Sequence, residues 1–287
     1  EDPSVVMALR VTNLVFPYAF RCNAELVPLL TFRMVQLSLK KGACSLSCPA
    51  FAGYGMLLCG AFGSIEDGCV IGQVAEAMHE KYGGREWVAR YSLSVHGMIN
   101  TWNRPWRESL EPVKAGYRIG LGTGDIEFSF LCAAVYSTIC FHSGSPLNLV
   151  YTESEDFIRL AETYGQEHIQ ASIRVTTQLC ANLMGMAQNP LELSGSFMDQ
   201  TAVLRTATQS QDGAQLSTVH LYLLVLSCFH HKYDHAARAA ANLNQIQLRS
   251  GSAFGNASRY FMDGLAAFAL ARSMSKSPFS TRGSCLK

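Results

Sequence analysis

The sequence lacks any concentration of charge of one sign. Its 23 Lys and Arg residues balance 22 Asp and Glu residues, and the longest cationic run, Lys40-Lys41, has two residues. A nucleic-acid surface needs clustered cations, and an anionic membrane attracts polybasic segments. We therefore expect neither a nucleic acid nor a membrane among the partners of this chain.

Long hydrophobic runs and a leader sequence are also missing. The longest apolar stretches, near 51–62 and 219–229, fall short of the ~18–20 residues needed to cross a bilayer. The opening Glu1-Asp2-Pro3 has neither the basic region nor the apolar region of a signal peptide. It also lacks an initiating Met, so we expect a fragment of a longer polypeptide.

Paired cysteines are scarce although the sequence contains 10 Cys residues. Most lie within helical patterns, where a free thiol behaves as a small buried apolar group. Only Cys44 and Cys48 are close together, and no second pair follows at the spacing of a zinc site. Because disulfides follow the redox compartment, this usage predicts a reduced, cytoplasmic chain.

Strand-like alternation of apolar and polar residues is absent over any long stretch, and helical periodicity replaces it. The clearest example is the segment 85–125, where apolar residues from Trp87 to Trp102 recur every three or four positions. A turn at 103–105 follows, and the same spacing resumes from Trp106 until glycines end the helix. This pattern predicts an antiparallel helical hairpin.

Three such hairpin turns recur at a fixed interval. Phe62, Trp102 and His142 each end the first helix of a hairpin, and each lies 40 residues from the next. A constant period with two helices per unit is typical of helical-repeat proteins. The fold class is therefore predicted as all-α: a right-handed α-solenoid of antiparallel, tetratricopeptide-like hairpins with about 12–13 helices.

One stretch interrupts the period. After a long helix over about 166–188, Asn189-Pro190 predicts a helix end, and 191–198 reads as an internal loop or boundary. We therefore divide the chain into three segments. They are a first part of the array (1–188), its continuation (199–272) and a Ser-rich, disordered tail (273–287).

Catalytic and metal-binding motifs are missing as well. His79-Glu80 begins the zinc motif HExxH, but position 83 is Gly, so the second ligand is absent. The glycines of GLGTGD (120–125) follow a helix rather than a strand, and no GK[ST] phosphate loop occurs. His230, His231 and His235 straddle a predicted turn. No catalytic residue, metal or cofactor is predicted.

The one unusual cluster lies at a hairpin tip. Trp102, Arg104, Trp106 and Arg107 occur within six positions, and Trp and Arg are enriched at interface hot spots. These four residues are the candidate partner-binding site. Alternatively, Trp102 and Trp106 only pin the two helices together across the turn, which is the more common use of such aromatic pairs.

Three stretches of the sequence resemble a known class of protein. The first two are YGMLLCGAFGSIEDGCVIGQVAEAMHEKYG (54–83) and INTWNRPWRESLEPVKAGYRIGLGTGDIEFS (99–129). The third combines SFMDQTAVLRTATQ with VHLYLLVLSCFHHKYDHAARAAA. They resemble the helical region of large multidomain signalling ATPases. Those proteins join a serine/threonine kinase domain, an AAA/STAND-type ATPase, a tetratricopeptide-like array and often a sensor histidine kinase.

The resemblance implies a regulatory role without catalysis in this stretch. It carries over no catalytic residue, because the family's catalytic motifs belong to modules that this sequence does not contain. The chain would be an interaction module that binds a protein or peptide partner, or the adjacent ATPase domain of the same polypeptide, and biases the nucleotide switch. The alternatives are a stand-alone tetratricopeptide-like scaffold that binds peptides, and a helical enzyme with an unrecognised site.

Overall fold

The computed structural model describes residues 2–23, 25–246 and 253–275, and within these ranges the protein is all-helical, with thirteen α-helices and no strand. The helices are α1 (Pro3–Cys22), α2 (Leu26–Lys41), α3 (Ser47–Gly60), α4 (Ile65–Tyr82), α5 (Val88–Tyr91), α6 (Leu110–Thr123), α7 (Ile126–His142), α8 (Leu147–Thr163), α9 (Glu167–Leu183), α10 (Gln200–Gln209), α11 (Gly213–Phe229), α12 (Tyr233–Gln245) and α13 (Ala253–Ser275). Short 3₁₀ segments cover Arg85–Trp87, Asn100–Trp102 and Trp106–Ser109, and a π-helix covers Ser92–Ile99.

Most consecutive helices pack against each other, and a second set of contacts connects alternate helices. Helix α3 contacts the π-helix that follows α5, the π-helix contacts α7, α7 contacts α9, α9 contacts α11, and α11 contacts α13. We call these helices the central row. Each amphipathic helix therefore buries its apolar side against helices of neighbouring hairpins, which a single hairpin could not provide.

The π-helix at Ser92–Ile99 changes which side chains are buried in the helical segment before the turn at 103–105. Uniform helical spacing predicts Met98 on this face, but the structure buries Ile99 completely and leaves Met98 half-exposed. The wider turn of a π-helix rotates the residues after it relative to an α-helix. Ile99 fills the space that Gly55 and Gly72 leave open because glycine has no side chain. A Cβ atom added at Gly55 would lie only 2.7 Å from Cδ1 of Ile99.

A buried ion pair joins three separate parts of the chain. The Arg90 Nε lies 2.9 Å from Asp125 Oδ2, and its Nη2 donates to Asp125 Oδ1 at 3.2 Å. The remaining Nη1 donates to the backbone carbonyl of Asn13 in α1. The guanidinium carbon also lies 4.3 Å from the centre of the Phe128 ring, a cation–π contact. One side chain thus ties α1, α5 and the start of α7 together.

Asp125 and Ser64 precede helices and are residue types that favour N-caps, but neither side chain caps its helix. Asp125 precedes α7, but its carboxylate does not cap the helix because Arg90 holds both of its oxygens. Ser64 precedes α4, and its hydroxyl donates to Asp67 at 2.6 Å instead of accepting from the backbone. The helix end at Gly124 is as predicted, with a left-handed φ of 85° that glycine adopts without strain.

The interruption at 189–198 is a loop fastened to α9 by amides that lie buried in that helix. Asn182 Nδ2 donates to the carbonyls of Asn189, Pro190 and Glu192, the last at 2.7 Å. Gln178 Oε1 accepts from the Phe197 N–H at 3.2 Å. These bonds satisfy loop backbone groups that strands or helices would otherwise satisfy. A division of the array at this loop remains a prediction.

Three further sequence predictions concern the C-terminal tail, the cysteines and membrane-spanning helices. Helix α13 continues to Ser275, and the rest of the predicted tail, 276–287, lies outside the described residues. Eight cysteines, including Cys44 and Cys48, are free and buried. The burial of those within helices agrees with the prediction from the helical pattern. Over the described ranges, no helix combines the length and the apolar character that crossing a bilayer requires.

The buried ion pair leads to a test of stability. Replacing Asp125 with Ala leaves the Arg90 guanidinium buried without its carboxylate, so we expect the free energy of unfolding to fall by about 3–5 kcal/mol. Urea denaturation followed by circular dichroism measures this change. Glu111→Ala is the matched control, because its partner Arg118 is exposed and such pairs contribute about 1 kcal/mol or less. Equal, small losses for both variants would contradict the account.

Candidate functional site

The two tryptophans of the predicted site lie on either side of the turn at 103–105. Trp102 is half-buried and packs against the apolar cluster formed by α1 to α5. Trp106 is also half-buried, and its Nε1 donates to the carbonyl of Thr101 at 2.9 Å. That hydrogen bond crosses the turn and joins the 3₁₀ segment Trp106–Ser109 to the 3₁₀ segment Asn100–Trp102. Both side chains therefore have structural contacts within the hairpin.

The two arginines of the predicted site are exposed at the same tip. Arg107 Nε donates to the carbonyl of Ser143 at 3.1 Å, which connects this tip with the turn after α7. Arg104 projects from the turn itself. The structure thus brings all four predicted residues to one edge, with the aromatic groups inside and the cations outside.

An aromatic path continues from this edge into the central row. The Trp106 ring lies 6.4 Å from the His142 ring at the end of α7, in an edge-to-face arrangement. The His142 ring lies 6.0 Å from that of Tyr222 in α11. Tyr222 is fully buried, and its hydroxyl lies 3.2 Å from Thr176 Oγ1 in α9. Side chains from four elements therefore meet around His142.

The last described helix also reaches this point. Ser258 Oγ lies 2.7 Å from His142 Nδ1, so the imidazole of α7 and the hydroxyl of α13 share a hydrogen bond. The same helix contacts the 3₁₀ segment Asn100–Trp102, and Cys228 at the end of α11 donates to its Met262 carbonyl. We call Trp106, His142, Tyr222 and Ser258 the tip network. Helix α13 thus crosses the ends of several helices of the central row.

The electrostatics of the tip network keep it uncharged. Burial lowers the pKa of His142 to about 4, because the imidazolium would lose its hydration. Burial likewise raises the pKa of Tyr222 to about 12. At neutral pH both groups are neutral, so an aromatic and hydrogen-bonded network connects the hairpins without a buried charge.

The Ser258–His142 pair has the partners of a nucleophile and its base, but not the chemistry. A general base works best with a pKa near the operating pH. An imidazole with a pKa of about 4 is a weak base at neutral pH. In the described part of the chain, no three His, Cys, Asp or Glu side chains are grouped to hold an ion.

His231 and His79 contact nearby aromatic side chains. His231 adopts a left-handed φ of 56° in the turn between α11 and α12, and its Nδ1 lies 2.9 Å from the Tyr233 hydroxyl. This agrees with the interpretation of His231 as a turn residue. His79 stacks on Tyr91 with ring centres 4.9 Å apart.

Sequence reasoning identified the tip but missed the residues behind it. His142 marked a hairpin end, and the 40-residue interval from Trp102 was the one signal that it occupies an equivalent position. Tyr222 and Ser258 carry no local signal, because their contacts join positions 80 and 116 residues away from His142. A tertiary contact over such a separation cannot be read from spacing.

Comparison with known proteins relates part of this chain to a signalling protein. No protein-family model matches the chain. A segment of 167 residues is 28% identical to the protein described as hybrid signal transduction histidine kinase G from Dictyostelium discoideum. The match covers 57% of this chain but only 5% of that relative. The chain is therefore similar to a small part of a much larger signalling protein.

The buried imidazole leads to a prediction on pH dependence. The folded pKa of about 4 lies below the ordinary value of 6.5, so stability is fully present above pH 6.5 and is lost as the pH falls towards 4. Between pH 7.5 and pH 5 this group alone should reduce the free energy of unfolding by about 2 kcal/mol.

Urea denaturation of the wild type and of His142→Gln at both pH values measures this contribution. His96 and His220, whose pKa values are also lowered by burial, are common to both proteins and cancel in the comparison. We expect a smaller loss on acidification in the variant. The same loss in both proteins would show that His142 is not buried as a neutral group.

Proposed function

We propose that this chain is a non-catalytic helical-repeat module of a multidomain signal-transduction ATPase or kinase. The observation that carries the proposal is its similarity to the Dictyostelium hybrid signal transduction histidine kinase. In such a protein the module acts beside the catalytic domains. It binds a protein or peptide partner, or the adjacent ATPase domain, and biases the on and off states of the nucleotide switch. Its location is then the cytoplasm.

The architecture proposed for this role is a right-handed, tetratricopeptide-like α-solenoid. The recurrence of hairpin turns every 40 residues and the contacts along the central row support it. In a solenoid each repeat contacts mainly its neighbours, so a change at one interface alters the packing of the next. A ligand that binds two neighbouring hairpins better in one arrangement than in another then shifts the equilibrium between them.

The hairpin tip is the proposed contact point for the partner. The guanidinium groups of Arg104 and Arg107 lie outside, where they can pair with carboxylates of a partner. Trp106 connects this surface to His142 and hence to α11 and α13. Binding at the tip would therefore act on side chains that join four elements of the array.

The proposal predicts that the isolated chain does not bind nucleotide. Titration of the chain with ATP and Mg²⁺ in a calorimeter should give no saturable heat up to millimolar concentration, because no phosphate loop occurs in the sequence. A segment that contains an intact ATPase domain serves as the positive control. A micromolar dissociation constant for ATP would overturn the non-catalytic assignment.

The two roles of the tip residues can be separated by mutation. Trp102→Ala removes a half-buried ring from the first apolar cluster, and we expect it to destabilise the fold by about 2–3 kcal/mol. Arg104→Ala removes an exposed side chain and should change stability by less than about 0.5 kcal/mol. Thermal and urea denaturation give both values. A negligible effect of Trp102→Ala would instead place this tryptophan on the free surface.

A further inference from the structure

Helix α13 packs Ala266 and Met262 against the core, whereas several of its large apolar side chains lie outside. Ala266 is 1% exposed and lies in the apolar cluster of α9, α11 and α12. Phe261 and Phe268 are 67% and 70% exposed, and Leu265 lies between them, also exposed. An amphipathic helix that packed only against this core would bury these large apolar side chains as well. The exposed aromatic face of α13 therefore suits a further apolar element.

The exposed side chains form one wall of a groove. Phe261, Leu265 and Phe268 follow a spacing of four and three, so they lie along one helix face over about 11 Å. A groove of about 450 Å³ runs beside them, between the second half of α13 and the first residue of α12, Tyr233. Arg272 and Ser273 continue its wall. An apolar helix face with Tyr233 on the opposite side and a polar end can receive the apolar face of an amphipathic helix.

The charge around the groove selects the kind of helix. Among the described residues of α12, α13 and the turn before α12, four cations, Lys232, Arg238, Arg259 and Arg272, outnumber two carboxylates, Asp234 and Asp263. A helix with acidic side chains beside its apolar seam would complement this excess, and a basic helix would be repelled. Arg272, on the groove wall itself, is the cation placed to meet a carboxylate.

The distribution of charge also disfavours a second copy of the chain as the occupant. A second exposed apolar stripe lies on α1, where Met7, Val11 and Leu14 are exposed. The segment 3–41 that contains it has five cations, Arg10, Arg21, Arg33, Lys40 and Lys41, and one carboxylate, Glu25. Pairing of α13 with α1, or of α13 with α13, would bring like charges together.

We propose that the groove between α12 and α13 binds an amphipathic α-helix with acidic residues flanking its apolar seam. Its large apolar side chains insert between Tyr233 and the Leu265–Phe268 wall, and an acidic residue pairs with Arg272. The partner is an acidic amphipathic helix of another protein or of another domain. This surface is separate from Arg104 and Arg107, so its failure leaves the proposed role of the hairpin tip intact.

The test uses the full 287-residue chain and a fluorescein-labelled model peptide in fluorescence anisotropy. The peptide has about 18 residues, because shorter isolated helices are marginal in water. It is Ala-based, with a Leu seam at a spacing of four and three and Glu on both flanks. A second peptide has Lys in place of every Glu. We expect saturable binding of the Glu peptide and at least roughly tenfold weaker binding of the Lys peptide.

Variants of exposed residues locate the binding without disturbing the core. Phe268→Ser should weaken the Glu peptide at least roughly tenfold, whereas Leu39→Ser on α2, which is 72% exposed, should leave it unchanged. Arg272→Glu should weaken the Glu peptide and strengthen the Lys peptide. This reversal is a readout that a loss of folding would not produce.

Three results would overturn the proposal. The first is no saturable binding of the Glu peptide at millimolar concentration. The second is equal binding by the wild type and Phe268→Ser, which would place the peptide elsewhere. The third is concentration-dependent self-association in sedimentation velocity that Phe268→Ser abolishes, which would make a second copy the occupant of this face.

Discussion

The burial of one guanidinium group determines how the first half of this array is held together. Arg90 can lie in the interior only because the Asp125 carboxylate, the Asn13 carbonyl and the Phe128 ring surround it. A buried charge without partners is strongly unfavourable. The positions of α1, α5 and the beginning of α7 are therefore coupled, and none of the three can move without exposing or isolating the charge.

The second half of the array uses neutral polar groups for the same purpose. Gln178 and Asn182 of α9 fasten the 189–198 loop, and Tyr222 and Thr176 join α11 to α9. His142 then joins α7 to α13 through Ser258. Apolar packing between amphipathic helices supplies contacts of low directionality, whereas these hydrogen bonds require one arrangement. Together they connect helices that lie far apart in the sequence.

Local physics explains which features the sequence could predict. Helix positions, the hairpin turns and the helix end at Gly124 follow from periodicity and from the conformational freedom of glycine, so they could be read directly. The π-helix that moves Ile99 inside depends on the space above Gly55 and Gly72, which only the folded structure creates. The missing cap at Asp125 has a similar cause, because Arg90 competes for the carboxylate from 35 residues away. The tip residues were predictable from composition, but the link from Trp106 to His142, Tyr222 and Ser258 was not.

We have proposed that this chain works as part of a multidomain signalling protein. Reading the transcript across both ends of the region tests it most directly. We expect one open reading frame that continues beyond this region and encodes a nucleotide-binding or kinase domain. A GxxxxGK[ST] motif between a strand and a helix would be its clearest sign. A start codon immediately before Glu1 together with a stop codon after Lys287 would contradict it, and the chain would then be a stand-alone scaffold.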